Sequence, residues 1–425
     1  MRTAPIALMV LFIVAAAGML AGCKPKETGT IMEAIPEKEY DRPLPPGQLA
    51  LRKLTDPRDI PDLTRACDNK AALRATIEGS LRYLAKPSSK AYFPYGEITH
   101  DHAVASLKAF ESLLETNLPA AQMNAVIRER FDVYTSVGWD GSGVVLFTSY
   151  YTPIFDASPA RTERFRYPLY KQPENLMKGP DGRILGLKQP DGQMVQCPSR
   201  REMETSNMLA GKEVMWLADP FEVYVTHVQG SAKLRMPDGR LITVGYTATN
   251  GHEYKSVGRE LVKDGKIPRG KLSLQAMIEY FKAHPNEIND YVWRNPRFVF
   301  FAETAGEPRG SLNEPVIPYR TIATDKSVYP RGCLAFVSAK LPQRIGTGIE
   351  DLSYQSFSLD QDTGGAIRAP GRCDLYVGVG PAAGELAGRT YAEGRLYYLF
   401  LKPTMITPSV LPAMTQPTTS KPEEP

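Results

Sequence analysis

The chain has 425 residues, of which 42% are hydrophobic and 23% charged, with a formal net charge of +4. That balance supports a buried core and excludes global disorder, and so small a charge excludes a dedicated nucleic-acid binder, which carries a basic patch or stripe. Its 36 prolines, 34 glycines and 21 tyrosines favour short strands and many turns over long helices.

The first residues read MRTAPIALMVLFIVAAAGMLAGCKPKE. One positive residue, Arg2, precedes an apolar run that ends in small residues, the pattern of a secretory signal over 1–22. Leu20-Ala21-Gly22-Cys23 resembles the bacterial lipobox, which makes Cys23 the expected lipidation site; the alternative is an ordinary cleaved signal with a chance cysteine. Lys24 after the cysteine resembles outer-membrane sorting, so the expected location is the periplasmic face of that membrane, reached through a lipid anchor. Residues 23–48 are polar and Pro-rich, as a tether would be.

Three amphipathic helices follow from periodicity. Leu73, Ile77, Leu81 and Leu84 mark one within 68–87, a similar stripe marks 103–117, and Leu274, Met277, Ile278 and Phe281 mark 272–284. The rest reads as strands. Val144–Phe147 is an apolar run between Gly143 and Pro153, and Pro-Asp-Gly turns stand at 180–182, 190–192 and 237–239. Later runs at 297–301, 333–337, 374–377 and 395–401 are short and rich in β-branched or aromatic residues. No strand–helix alternation of a doubly wound sheet is visible. The Pro/Thr-rich segment from 404 reads as a disordered tail.

Setting Cys23 aside, Cys67, Cys197, Cys333 and Cys373 match no zinc spacing and are open to two readings, two disulfides or buried free thiols. Gly378 to Gly384 nearly fits a dinucleotide fingerprint, but an apolar strand rather than a βαβ unit is expected to follow. His100-Asp101-His102 has no third ligand paired to it and reads as a polar loop. No G-x-S-x-G supports a serine nucleophile. No cofactor or metal is implied. Carboxylates remain. Asp362 and Asp374 lie in QDTGGAIRAPGRCDLYVGVG, and an aspartate beside an apolar strand is a candidate acid for glycosidic chemistry or a structural turn partner.

Several blocks together resemble the membrane-bound lytic transglycosylase A family. They are Tyr150-Tyr151-Thr152-Pro153, Phe165 to Tyr170, Pro198-Ser199-Arg200, Val228-Gln229-Gly230-Ser231, Asn250-Gly251-His252-Glu253-Tyr254, Asn295-Pro296, Asp325-Lys326-Ser327, and Asp362-Thr363-Gly364-Gly365-Ala366-Ile367 through Asp374 to Gly388. The resemblance spans about 140–402. It implies a mainly β fold with a few helices: a double-psi β-barrel with a smaller inserted β-domain and a groove between them. The corresponding segments are 49–153 (helical segment and first part of the barrel), 154–304 (insert) and 305–403 (second part), before a tail at 404–425.

The resemblance further implies cleavage of the β-1,4 bond between N-acetylmuramic acid and N-acetylglucosamine in peptidoglycan, with a 1,6-anhydro product. Asp374 matches the family's single acid/base. Asp362 matches a second carboxylate of the groove and Asp325 another acidic position of the same barrel, expected among the substrate-binding residues. Thr148 and Gln229 are expected sugar contacts, and Tyr150 and Tyr151 are open to two readings, rings against the sugars or core packing. Arg368-Ala369-Pro370 departs from the more usual Lys-Gly and bears on substrate range. The partner implied is the peptidoglycan glycan strand. Two alternatives stand beside this one: a non-catalytic wall-binding lipoprotein, and a hydrolytic muramidase using Asp374 with Asp362.

Overall fold

A computed structural model describes residues 38–179 and 182–406; the expected signal sequence, Cys23 and the tail beyond Ile406 lie outside the described residues. The frame of the fold is a closed ring of six strands. Val145–Thr152 pairs with Arg372–Val379, then Thr321–Ala323, Gly348–Asp362, Leu334–Ile345 and Ala392–Leu401, which pairs back onto Val145–Thr152. Closure leaves no unpaired edge within the ring. Phe131–Ser136 adds to the Ala392–Leu401 strand, and Leu51–Lys53 adds to Phe131–Ser136.

The barrel is packed with Phe147, Phe336, Phe357, Leu359, Leu375 and Tyr398, each at most 1% exposed. One charged pair shares that interior. Asp360 is fully buried and accepts from Lys326 Nζ, from Thr324 Oγ1 (2.7 Å) and from Tyr398 OH (2.7 Å). A buried charge is tolerated only when paired and hydrogen-bonded, and all these donors converge on one carboxylate.

The helices Leu73–Leu84, His100–Leu114 and Ala120–Arg130 share the barrel's core through Ile77, Leu107, Phe110 and Ile127. The first begins only at Leu73, because Ala72 takes a left-handed φ of 59°. His100-Asp101-His102, expected as a loop, is the first turn of the second, capped by Thr99 Oγ1 accepting from His102 N. Both rings turn inward: His102 Nε2 donates to Leu401 O (2.6 Å) and His100 Nε2 to Leu84 O (2.9 Å).

Between the barrel strands the chain builds a second sheet, ordered Val299–Thr304, Leu241–Thr249, Ser231–Arg235, Ile154–Ser158, Glu213–Leu217 and Tyr167–Tyr170. A three-stranded sheet, Leu176–Lys178, Ile184–Lys188 and Met194–Val195, accompanies it. Gly182, Gly192 and Gly239, the glycines of the expected Pro-Asp-Gly turns, stand between paired antiparallel strands and take φ of 80°, 86° and 84°. The helix Leu274–Ala283 starts at the Ser273 cap and buries Phe281. The helices Pro220–Gln229, Val257–Lys263 and Ile288–Val292 were not visible as apolar stripes.

The Gly378–Gly384 segment runs into a helix, Pro381–Arg389, that was not expected, and the apolar strand expected after it is present as Ala392–Leu401. The segment still does not make a βαβ unit. Arg372–Val379 runs parallel to Val145–Thr152, and the strand after the helix, Ala392–Leu401, runs antiparallel to it. The four cysteines 67, 197, 333 and 373 are buried and free, which decides between the two readings left open by the sequence. Among the described residues no helix is long and apolar enough to cross a membrane.

Candidate active site

Strand alternation sorts the residues at the centre of the site. Along Arg372–Val379, Cys373, Leu375 and Val377 point into the core, so Arg372 and Asp374 share the opposite face. Asp374 stands beside Thr148 in register on one side and beside Ala323 on the other. Ala323 is in turn paired with Asp362. The two aspartates therefore flank one short strand with only an alanine methyl between them. Their backbones stand about 10 Å apart, two strand spacings.

The two carboxylates are equipped differently. Thr148 Oγ1 donates to Asp374 Oδ1 at 2.5 Å, and Arg372 Nη2 donates to Thr148 Oγ1 at 3.2 Å. Thr148 is the only hydrogen-bond partner of Asp374 among the described residues, which leaves Oδ2 open. Asp362, by contrast, has both oxygens occupied. Tyr150 OH donates to Oδ2 (2.8 Å), and the backbone N–H groups of Ser311 and Thr363 donate to Oδ1 (each 2.8 Å). Gly310 permits the first of those amides to approach: a Cβ there would lie 2.9 Å from Gln361 O and 3.1 Å from Asp362 Cγ.

Each aspartate is half-buried, in contact with solvent yet deep among protein atoms. Burial is the main force that raises the Asp374 carboxyl above the ordinary aspartate range; the Thr148 bond and the Arg372 charge oppose it, and the Asp362 charge adds to it. Burial also raises Asp362, against the donors from Tyr150, Ser311 and Thr363 and the charge of Lys326. Burial and the Asp362 charge push the Tyr150 phenol well up, so it stays a donor. The arrangement suits one carboxyl with a free oxygen to carry a proton and one saturated carboxylate to hold negative charge.

The remaining expected contacts separate. Tyr150 faces Asp362, but Tyr151, one residue on, faces the core at 7% exposure, and its ring lies against Gly384, where a Cβ would come within 2.8 Å. Its role is packing rather than sugar contact. Asp325 is likewise buried, with Oδ1 accepting from Ser327 N and Oγ and Oδ2 accepting from Ala369 N (2.8 Å). Both oxygens are taken, and the second ties down the loop that leads to Asp374. Gln229, the last residue of Pro220–Gln229, accepts from Tyr151 N through Oε1 (3.1 Å) and ties that helix to the barrel strand. Arg372 and Ser311 were missed in the sequence. Period-2 spacing from Asp374 points to Arg372; nothing local points to Ser311.

Two depressions in the insert are lined by neither aspartate, one by Cys197, Glu202 and His252, the other by Tyr167, Arg200 and Trp293. In the second the polar edge is already paired, Trp293 Nε1 donating to Glu204 Oε2 (2.7 Å).

Known proteins share both parts of this architecture. A family model described as the MltA specific insert domain matches residues 146–302, and a 3D domain model matches 320–400. The chain is 30% identical over 277 residues to "Membrane-bound lytic murein transglycosylase A" of Escherichia coli K12, covering 64% of this chain and 70% of that one. The same name attaches to a Vibrio cholerae relative, 30% identical over 271 residues, 62% of this chain and 68% of that protein. Among solved structures, a membrane-bound lytic murein transglycosylase from Agrobacterium tumefaciens superposes with a TM-score of 0.69 at 26% identity, over 83% of this chain and 98% of that one. E. coli MltA with bound chitohexaose superposes with a TM-score of 0.62 at 23% identity, over 86% of this chain and all of that one, a likeness of fold.

Proposed function

The chain belongs to the membrane-bound lytic murein transglycosylase A family, and from that premise we propose that it cleaves the β-1,4 bond between N-acetylmuramic acid and N-acetylglucosamine with Asp374 as sole acid and base. The observation that carries this reading is the unequal equipment of the two aspartates: Asp374 keeps Oδ2 free while Asp362 is saturated by three donors.

Thr148 accepts from Arg372, so its own hydrogen is directed at Asp374 Oδ1. The acidic proton of Asp374 then resides on Oδ2, the oxygen without a protein partner among the described residues. In the first half of the reaction that proton passes to the glycosidic oxygen, and the bond from muramyl C1 to that oxygen breaks. N-acetylglucosamine leaves with its 4-hydroxyl restored. Positive charge at C1 is opposed by the Asp362 carboxylate, fixed in place beforehand. In the second half the Asp374 carboxylate takes the proton of the muramyl C6 hydroxyl, whose oxygen bonds to C1. The product is a 1,6-anhydro sugar, no water is consumed, and Asp374 regains its proton. One titrating carboxyl suffices because the nucleophile is held on the same ring at high effective molarity.

Placement at the periplasmic face of the outer membrane through a lipid on Cys23 belongs to the same proposal; it rests on the lipobox-like sequence and on the words "membrane-bound" in the relatives' names.

Digestion of purified sacculi with mass spectrometry of the soluble products tests the reaction. Anhydro-terminated muropeptides are expected from the wild type. Asp374→Asn is expected to release about 10²- to 10⁴-fold less while still binding sacculi. Reducing ends would assign hydrolysis, and absence of soluble product would leave a wall-binding protein. Full activity in Asp374→Asn would remove the site assignment.

A further inference from the structure

We propose that Arg297 and Arg368 form a carboxylate-binding subsite beside the cleavage site, and that its ligand is the anionic peptide stem carried by the muramyl residue. The location of the ligand rests on the glycan reading above; the subsite itself rests on what holds the two arginines.

Arg368 lies in the loop 363–371 that joins the two aspartate-bearing strands. That loop is pinned at both ends. Asp362 Oδ1 accepts from Thr363 N, Asp325 Oδ2 accepts from Ala369 N, and Pro370 O accepts from Tyr329 OH (2.8 Å) and Ser136 Oγ (3.2 Å). Ala369 takes φ of 64°, a left-handed conformation that favours glycine. Such strain persists only where the surroundings over-determine it. The effect is to fix the exit direction of the residue before it, Arg368, which is exposed and makes no ion pair among the described residues.

Arg297 approaches the same loop from the insert. Its backbone is clamped on both sides: N donates to Asn295 Oδ1 (3.2 Å) and O accepts from Arg200 Nη2 (3.0 Å). Its guanidinium lies flat against the loop where Gly365 offers no side chain; a Cβ there would stand 3.3 Å from Nε and 3.5 Å from Cζ. Of its five donors one is engaged, Nη1 to His252 O at 3.4 Å. No carboxylate faces it. Burial lowers the Arg297 guanidinium's pKa; the Tyr246 phenol opposes that and the charge of Arg368 adds to it, so the two cations feel one another.

Some other arginines of this chain are satisfied in place, Arg294 by Glu260 and Asp264, Arg344 by Glu385, and the buried Arg320 by carbonyl, hydroxyl and amide oxygens. Two positioned guanidiniums left without an anion are suited to bidentate capture of a carboxylate brought by a ligand. Peptidoglycan supplies one at the right place. The stem peptide leaves the muramyl ring at C3, on the sugar whose C1 is attacked, and carries free α-carboxylates.

The test compares intact, peptide-bearing glycan with the same glycan stripped by an amidase, which removes the stem and its α-carboxylates and leaves only the short lactyl carboxylate at C3. For the wild type and for Arg297→Gln/Arg368→Gln, the readout is the ratio of kcat/KM on the two substrates. The ratio is expected to fall about tenfold in the double variant, the loss of one charge-assisted contact. An unchanged ratio, whether both rates fall or neither does, overturns the subsite. Arg368→Gln alone, at an exposed and unpaired side chain, keeps the comparison available if the double variant is unstable, with a smaller fall expected. Calorimetric titration of a soluble disaccharide-tetrapeptide against the peptide-free disaccharide separates this inference from the reaction itself. Tighter binding of the peptide form, lost in the variant, supports the subsite even if no glycan is cleaved; equal binding of the two overturns it.

Discussion

Thr148→Val replaces a hydroxyl with a methyl at the one side chain that touches the free aspartate. The hydroxyl donates to Asp374 Oδ1 at 2.5 Å and accepts from Arg372 Nη2 at 3.2 Å, so the substitution strands both neighbours. A hydrogen bond to an ionised carboxylate contributes roughly 1.5–3 kcal/mol. On the proposed mechanism Asp374 starts the reaction neutral and is only partly ionised at the transition state, so about half of that is lost from the barrier, about 0.75–1.5 kcal/mol, or roughly three- to twelvefold in kcat. The pH profile should move in a direction that simple damage does not produce. With Asp374 as the proposed acid, activity requires its protonated form and falls as pH rises through its folded-state pKa. Removing a donor that favours the ionised form raises that pKa further, so the alkaline limb shifts to higher pH. The assay is release of anhydro-muropeptides across a pH series under saturating substrate. The expected result is a variant slower on its plateau yet active at higher pH, with Thr148→Ser restoring both properties. An alkaline limb displaced to lower pH, or a serine variant indistinguishable from valine, would refute the relay through Thr148.

Asp374→Asn should be thermally more stable than the wild type at neutral pH. Burial raises the folded-state pKa of this carboxyl, so the wild type loses stability as pH rises through that value; the gain should vanish below about pH 4, where folded and unfolded carboxyls are both protonated. Melting curves at the two pH values decide this, and a gain that grows on acidification contradicts it. Lys326→Met leaves Asp360 buried and unpaired in the barrel and should cost about 3–5 kcal/mol in urea unfolding. Adding Asp360→Asn should recover much of the loss, and a single variant within about 1 kcal/mol of wild type would show that Thr324 and Tyr398 suffice.

The parts of this structure visible in the sequence are those written at short range. Leu73, Ile77 and Leu84 announce a helix because its stripe faces one core, and Pro-Asp-Gly announces hairpins because glycine must take positive φ. Pro381–Arg389 was hidden by its own glycines: Gly384 stands there for the close approach of the Tyr151 ring, not for a turn. The pair Asp362 and Asp374 was legible as carboxylates in a tight segment. Their difference was not, because the groups that create it arrive from far away, Thr148 from 226 residues upstream of Asp374 and Ser311 from 51 upstream of Asp362. Asp325-Lys-Ser327 carried a local signal for its true role, an aspartate that accepts from the amide two residues on, but family position suggested a sugar contact.

The order in which the ring of strands is joined governs when this protein can first act. Val145–Thr152 emerges early in synthesis, whereas its two ring neighbours, Arg372–Val379 and Ala392–Leu401, come more than 200 residues later. A nascent or truncated chain lacking them has Thr148 and Tyr150 but no aspartate at 374 and no closed ring. An enzyme able to cut the wall that confines its cell is thereby inert until the whole polypeptide has been delivered, and slow, long-range closure becomes a safeguard.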